Sequence, residues 1–292
     1  MSSRKRSGES SKENKKVKKN SSESESESSS DDEIDQICID FSGFEIAPED
    51  FSGIQLLLNQ LFLKNHLDLN GLTNFIIDGQ PDIGLVIKES EIDEAPGGSD
   101  NANEDDTVYG LVTAISLSHN EELKFISQLR NLLLDLSKQH ATEKTHDFIN
   151  TLFNEPNNKV GFLVNERYSN LPPAISVPSL GRLKCELEKK SSEDANYKFT
   201  HFVIVSKLYK VPTKKKKQNS KDFDIIWSNA EDEIIDKEAD ARFEYSVADE
   251  SDSALAGSWT EDDIELLPYR RVLVFTASKF DYILKEASEL AK

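Results

Sequence analysis

The chain has 292 residues and a formal net charge of −19, from 54 acidic and 35 basic side chains, with two cysteines. A strongly acidic body repels nucleic-acid phosphate and anionic membranes and attracts cationic partners, so no direct nucleic-acid contact is expected. Two cysteines without CxxC spacing exclude a disulfide scaffold, and no apolar run nears the ~20 residues of a membrane span, so a soluble intracellular protein without membrane insertion is expected.

Residues 1–34 read as a tail that cannot fold. Between Ser3 and Glu33 only Val17 suits a core, so nothing offsets a backbone ordering cost of roughly 1–2 kcal/mol per residue. The first half is basic, with Arg4, Lys5 and Arg6, then Lys15, Lys16, Lys18 and Lys19. Two such clusters across a polar spacer read as a bipartite nuclear-import signal, or else as a plain solvated tail. The second half is acidic. Ser22, Ser24, Ser28, Ser29 and Ser30 each have an acid three residues downstream, the spacing preferred by acid-directed kinases, and each phosphate would add about −1.5 to −2 charge. The tail balances itself, so residues 34–292 carry the excess, 27 basic against 46 acidic side chains.

Folding is expected over 35–292 as one domain. "QICIDF" alternates Ile37, Ile39 and Phe41 as a half-buried strand, and a bulge after Gly43 would shift the parity to Phe44 and Ile46. "PEDFSGIQLLLNQLF" reads as a helix started by Pro48, with a stripe of Phe51, Ile54, Leu57, Leu58 and Leu61. "LNGLTNFIID" is a shorter helix and "IGLVIK" a buried strand. The span 89–107 is predicted as an exposed, disordered acidic loop that includes Glu104, Asp105 and Asp106. "VYGLVTAISL" resumes the sheet. Asn120 is placed to cap a helix with a stripe of Leu123, Ile126, Leu129, Leu133 and Leu136, and a further helix surrounds Phe148, Ile149, Leu152 and Phe153.

"KVGFLV" is a strand running into "NERYSNLPPAISVP", where Pro172, Pro173 and Pro178 argue for irregular structure, and a helix is expected over Ser179 to Lys189. "YKFTHFVIVSKLY" is an interior strand, 212–221 a basic loop and "FDIIW" a short strand. Asn229 is placed to cap an acidic helix. "ARFEYSV" and "RRVLVF" are strands, and Ser278 with Asp281 resembles a capping box for the last helix. The sum is about seven strands and seven helices without strict alternation, a mixed α/β fold with a single mixed sheet covered by helices. Cys38 and Cys185 sit in apolar-patterned contexts.

Catalytic signatures are missing from the sequence. It holds no Walker loop, no GxGxxG after a strand, no GxSxG elbow and no HExxH among its five histidines, so no cofactor and no enzyme activity are expected. Two polar segments stand out. "NERYSNLPP" is either a binding loop on a rigid scaffold or the home of a structural Arg167–Glu pair. "IIWSNAEDEIIDKEAD" places Glu231, Asp232, Glu233 and Asp236 at a helix start, where acids complement the dipole.

"VGFLVNERYSNLPPAISVPSL" and "WSNAEDEIIDKEADARFEYSVADESDSALAGSW" resemble signature blocks of the BCCIP family, and "GIQLLLNQLF" with the acidic segment before "VYGLVTAISL" matches in order. The resemblance spans about 36–285. It implies a domain similar to the GCN-five-related acetyltransferase fold, without acetyl transfer, and the sequence has no R/Q-x-x-G-x-G/A loop. It also implies fungal-type roles. These are nuclear export of a phosphatidylinositol-phosphate kinase through nuclear transport receptors, effects on actin and vesicle transport, and chaperoning of a basic ribosomal protein of the large subunit. Animal members imply binding of a recombination protein and a cyclin-dependent-kinase inhibitor. Shuttling between nucleus and cytoplasm is the expected localisation. Asn165, Glu166, Arg167, Asn170, Pro172 and Pro173 are the candidate client surface the resemblance implies. The competing readings are a degenerate or hidden acyltransferase and a scaffold for cell-cycle or DNA-repair proteins.

Overall fold

The computed structural model describes residues 40–90, 107–119, 121–212, 223–250 and 266–290, all within the unit Ile39–Lys292. Eight strands among them form one mixed sheet: β1 (Phe41–Phe44), β2 (Leu85–Glu89), β3 (Gly110–Ser116), β4 (Val160–Arg167), β5 (His201–Pro212), β6 (Phe223–Trp227), β7 (Ala241–Ser246) and β8 (Leu267–Thr276). The order is β1-β2-β3-β4-β5-β8-β7, with β6 paired to β5. Every pairing is antiparallel except β4 with β5. The last strand in sequence, β8, thus lies between β5 and β7.

Side-chain alternation divides the apolar residues between the two faces. On β4, Val160, Phe162 and Val164 join a cluster with α1 (Phe51–Phe62), α2 (Leu69–Asn74), α3 (Lys124–His140) and α4 (Glu143–Asn154). Leu163 joins the opposite cluster with α5 (Ser176–Glu193), α6 (Asp232–Glu238) and α7 (Phe280–Leu290). The expected stripe of α1 is the buried one at Ile54, Leu57, Leu58 and Leu61, with Phe62 added and Phe51 half-buried. Full burial of such a side chain contributes about 1.5–3 kcal/mol.

Several expectations need correction. β1 pairs with β2 in unbroken register from Phe41↔Glu89 to Phe44↔Val86, so there is no bulge, and Phe44 is exposed. Asn120 lies outside the described residues, and α3 begins after an extended Leu123 with no side-chain cap. α5 starts at Ser176 and carries Pro178 in its first turn, where a missing N–H costs no helix bond. Ser278 reaches towards the Thr276 hydroxyl instead of capping, and the chain enters α7 through a 3-10 turn at Ala277–Lys279. Cys185 is exposed on α5, and Phe148 is exposed on α4.

Gly84 leads into β2 with φ of +107°, and a Cβ there would lie 2.4 Å from the Val112 carbonyl oxygen. Both the dihedral and the space exclude a side chain. Gly84→Ala should therefore lower unfolding free energy by about 2 kcal/mol or more, read as a lower urea midpoint; an unchanged midpoint would refute this account of the β2 entry.

Candidate functional site

β4 and β5 are parallel neighbours only from Val160↔His201 to Leu163↔Ile204. Beyond that point β4 stays with β3 as far as Arg167↔Gly110, while β5 continues with β8 and then takes β6 as its new neighbour from Leu208 onward. The two strands part, and a crevice opens between their carboxyl ends. That position is where open α/β sheets receive ligands. Here the chain fills it. The turn Ser228–Asp232, between β6 and α6, brings Asn229, Glu231 and Asp232 into the gap, and all three are buried.

The filling is polar and follows strand parity. Asn165 and Arg167 point to the α6 side. The Arg167 guanidinium grips both oxygens of Glu231, one bond measuring 2.9 Å, and Asn165 Nδ2 donates to Glu231 Oε1 at 2.8 Å. Asn229 Nδ2 donates to the Asn165 carbonyl at 2.8 Å, a ladder bond supplied by a side chain. On the other face Glu166 pairs with Lys207 of β5. Nearby, Arg270 of β8 donates to the Gln60 and Leu61 carbonyls at 2.7 and 3.2 Å, closing the C-terminal end of α1.

Burial works against the charge of Arg167, but the hydrogen bond and field of Glu231, with Asp232 and Glu166 behind it, outweigh that and hold its pKa above the ordinary value. Arg270 is different: burial is the largest influence and lowers its pKa. Asp232 is fully enclosed, and the Ser206 hydroxyl beside it favours its charged form only in part. Burial, then the neighbouring Glu231, pushes its pKa well above the carboxylate range. The cluster gathers three acidic side chains, with Glu231 paired to Arg167, Glu166 paired to Lys207, and Asp232 the one whose burial favours its neutral form.

These placements correct the proposed client surface. Asn165, Glu166 and Arg167 are strand residues exposed by 5% or less, so they cannot meet a client directly. They remain in β4 because β3 pairs with them to the end. Asn170, Pro172 and Pro173 are exposed on the loop that follows. Asn229 does not cap α6 with its side chain; its carbonyl accepts the Asp232 N–H. The import residues Arg4, Lys5, Arg6, Lys15, Lys16, Lys18 and Lys19, the serines at 22, 24, 28, 29 and 30, and Glu104, Asp105 and Asp106 lie outside the described residues. Lys207 and Arg270 were missed because nothing in a strand sequence marks its partners across the sheet. Among the described residues no group of His, Cys, Asp and Glu is arranged to hold a metal, and no helix is long and apolar enough to cross a membrane.

The BCCIP family model matches residues 36–235. The chain is 34% identical to the Protein BCCIP homolog of Drosophila melanogaster, over 86% of this chain and 84% of that protein. It is 29% identical to the human BRCA2 and CDKN1A-interacting protein, over 87% and 82%, and 25% identical to Protein bcp1 of Emericella nidulans, over 89% of each. The crystal structure of BCP1 from Saccharomyces cerevisiae superposes with a TM-score of 0.55 at 18% identity, covering 91% of this chain and 97% of that one, a likeness of fold.

Asp232 yields a pH test. Its folded pKa lies above its unfolded one, so the folded state keeps the proton longer. The stability from the neutral carboxyl is complete below the unfolded pKa and is lost as pH rises towards the folded one. Asp232→Asn is neutral throughout. Its stability relative to the parent should rise steadily from pH 5 to pH 8 in urea melts; a constant difference would mean that Asp232 is ionised in the crevice.

Proposed function

The chain belongs to the BCCIP family, and from that premise we propose that it is a non-enzymatic protein that shuttles between nucleus and cytoplasm, chaperones a basic ribosomal protein of the large subunit and serves nuclear export, a phosphatidylinositol-phosphate kinase among its cargoes. The observation that carries the reading is the placement of charge. Residues 91–106 hold seven acids and residues 251–265 hold five, with no basic residue in either stretch. The strands bracketing both stretches end on one side of the sheet. β2 leaves and β3 enters there, β7 leaves and β8 enters there, and it is the side of the carboxyl ends of β4 and β5. The connection 213–222, anchored at the same end by Pro212↔Phe223, holds five lysines against one aspartate, so the three connections together carry −8 of the net charge of −19. A free ribosomal protein is cationic and associates with RNA indiscriminately, and an acidic end can occupy its RNA-binding face until handover.

The occupied crevice supports a non-enzymatic role, since the place where a small substrate would enter holds Arg167, Glu231 and Asp232. Import through the basic tail and transport receptors supplies the nuclear part of the cycle. A second reading, in which the acidic end holds a cell-cycle or DNA-repair protein, is favoured by the human relative's name, which couples that protein to BRCA2 and CDKN1A.

Long-range charge acts mainly on association. Changing Glu91, Asp93, Glu94, Asp100, Glu104, Asp105 and Asp106 to Asn or Gln should slow capture of a purified basic large-subunit ribosomal protein by about tenfold at low salt and flatten the salt dependence, read by stopped-flow fluorescence. Identical rates and slopes would remove the electrostatic basis of the chaperone reading. For import, changing Lys15, Lys16, Lys18 and Lys19 to Ala should lower the nuclear-to-cytoplasmic ratio of a fluorescent fusion without changing its melting temperature, and an unchanged ratio would discard the tail as the address.

A further inference from the structure

α5 ends over the start of β5. Its residues Lys184, Leu187, Glu188 and Ser191 share one face by helical spacing. That face looks onto a 3-10 turn at Ala195–Tyr197, the first residues of β5 and the start of α7. Between them lies a recess of about 150 Å³. Its walls are Leu187 and four rings, those of Tyr197, Phe199, Phe202 and Phe280. The rings support one another, with centroids 5.9 Å apart for Tyr197 and Phe199, 5.3 Å for Phe199 and Phe202, and 5.4 Å for Phe202 and Phe280. Lys184 of α5 reaches Asp281 of α7 at 3.0 Å and holds the two helices on either side. Protein interiors leave few voids, and this one opens to solvent beside the exposed Lys198 and the half-buried Ser191.

Size and charge choose the occupant. Small-molecule sites usually offer about 300–1,000 Å³, whereas an apolar cavity of ~150 Å³ accepts one benzene ring. The recess therefore suits a single aromatic side chain, set edge-on or offset to the rings already there. The charge beside it is positive. Lys159 donates to the Ala195 carbonyl, Lys190 lies 5.9 Å from the centre of the Tyr197 ring, and Lys198 lines the recess. None of these three is in an ion pair among the described residues, unlike Lys184, which Glu188 and Asp281 hold. The acids of the same turn are Asp194, which already accepts the Asn196 N–H, and Glu193, which faces the side of α5 that carries Lys189. The stretches 91–106, 213–222 and 251–265 attach at the other end of the sheet, where β2, β5 and β7 leave it. Outside the described residues the chain has one aromatic residue, Trp259, in the last of these stretches. Attachment at the far end leaves the recess to a ring from another molecule.

We propose that this recess is a docking site for an aromatic side chain flanked by acidic residues on a partner protein. The ring fills the recess and supplies most of the affinity, as a buried aromatic anchor does at other interfaces. The neighbouring carboxylates meet Lys190 and Lys198, which lie within a screening length of ~10 Å of it and select an acidic segment over a basic one. The site lies at the amino ends of β4 and β5, away from the acidic end that meets a basic client, and the proposal stands whether or not that client is identified correctly.

The test titrates the isotope-labelled full chain with the peptide GEEFEEG and follows backbone amide shifts by NMR. Ser191→Trp places a ring of the chain's own at the recess, and circular dichroism checks that the variant is folded. A second control leaves the protein unaltered: the peptide GEEAEEG, which lacks the ring. The expected result is a set of shifts centred on Ser191, Lys198 and Ala277. Affinity falls roughly tenfold to a hundredfold on loss of the ring or with Ser191→Trp, and several-fold with Lys198→Glu, while GKKFKKG does not bind. Equal binding of the alanine peptide, of the lysine peptide or to the folded Ser191→Trp chain, shifts confined to other surfaces, or no binding at all would overturn the proposal. Self-association in sedimentation that Ser191→Trp abolishes, without peptide binding, would assign the recess to a second copy and overturn it as well.

Discussion

The Arg167–Glu231 pair stands where a strand ladder should continue. Past Leu163 and Ile204 the two parallel strands no longer share hydrogen bonds, and the polar backbone of a parted sheet must find other partners or remain costly. A bidentate guanidinium–carboxylate clasp, with the Asn165–Glu231 and Asn229–Asn165 bonds around it, ties β4 to the turn that leaves β6. Such a buried pair adds little net stability over a well-packed apolar replacement, yet loss of one partner strands a charge at a cost of ~3–5 kcal/mol. Its structural effect is to fix where the β6–α6 turn sits, and through that turn the start of α6.

The clasp lies at the end of the sheet where β2 leaves and β3 enters. Inside the crevice, Arg167 is paired with Glu231 and Lys207 with Glu166, and the two carboxylates are almost fully buried. In sequence, the charged residues of 91–106, between β2 and β3, and of 251–265, between β7 and β8, are all acidic. A buried pair acts over a few ångströms, whereas unpaired charge in water acts over a Debye length of about 8–10 Å.

What the sequence made legible was the periodic part. The stripe of α1 and the run Phe202–Val205 of β5 could be read because burial writes a repeat into the residue order. The acids of 231–236 were also read at a helix start, where Asp232 and Glu233 do open α6. "NER" was harder. Polar residues after an apolar strand resemble a loop, and the alternative of an Arg167–Glu pair could be stated without its partner, which lies 64 residues away. Sequence patterns report on faces and local turns; a contact between a strand end and a distant turn leaves no period. Pro178 misled for a related reason: the ban on proline in helices lapses in the first turn, and only the structure shows where that turn begins.

The position of β8 also bears on how the chain is made. β5 is finished at Pro212, but its antiparallel neighbour on one side, β8, begins at Leu267. At translation rates of ~5–20 residues per second the interval amounts to several seconds. For that time β5 has no neighbour on that side, and from Ser246 onward β7 also waits for β8, its strand partner among the described residues. The nascent chain thus carries an incomplete sheet with apolar strands until the last of them slots in between, and unpaired strand edges of that kind are prone to aggregation.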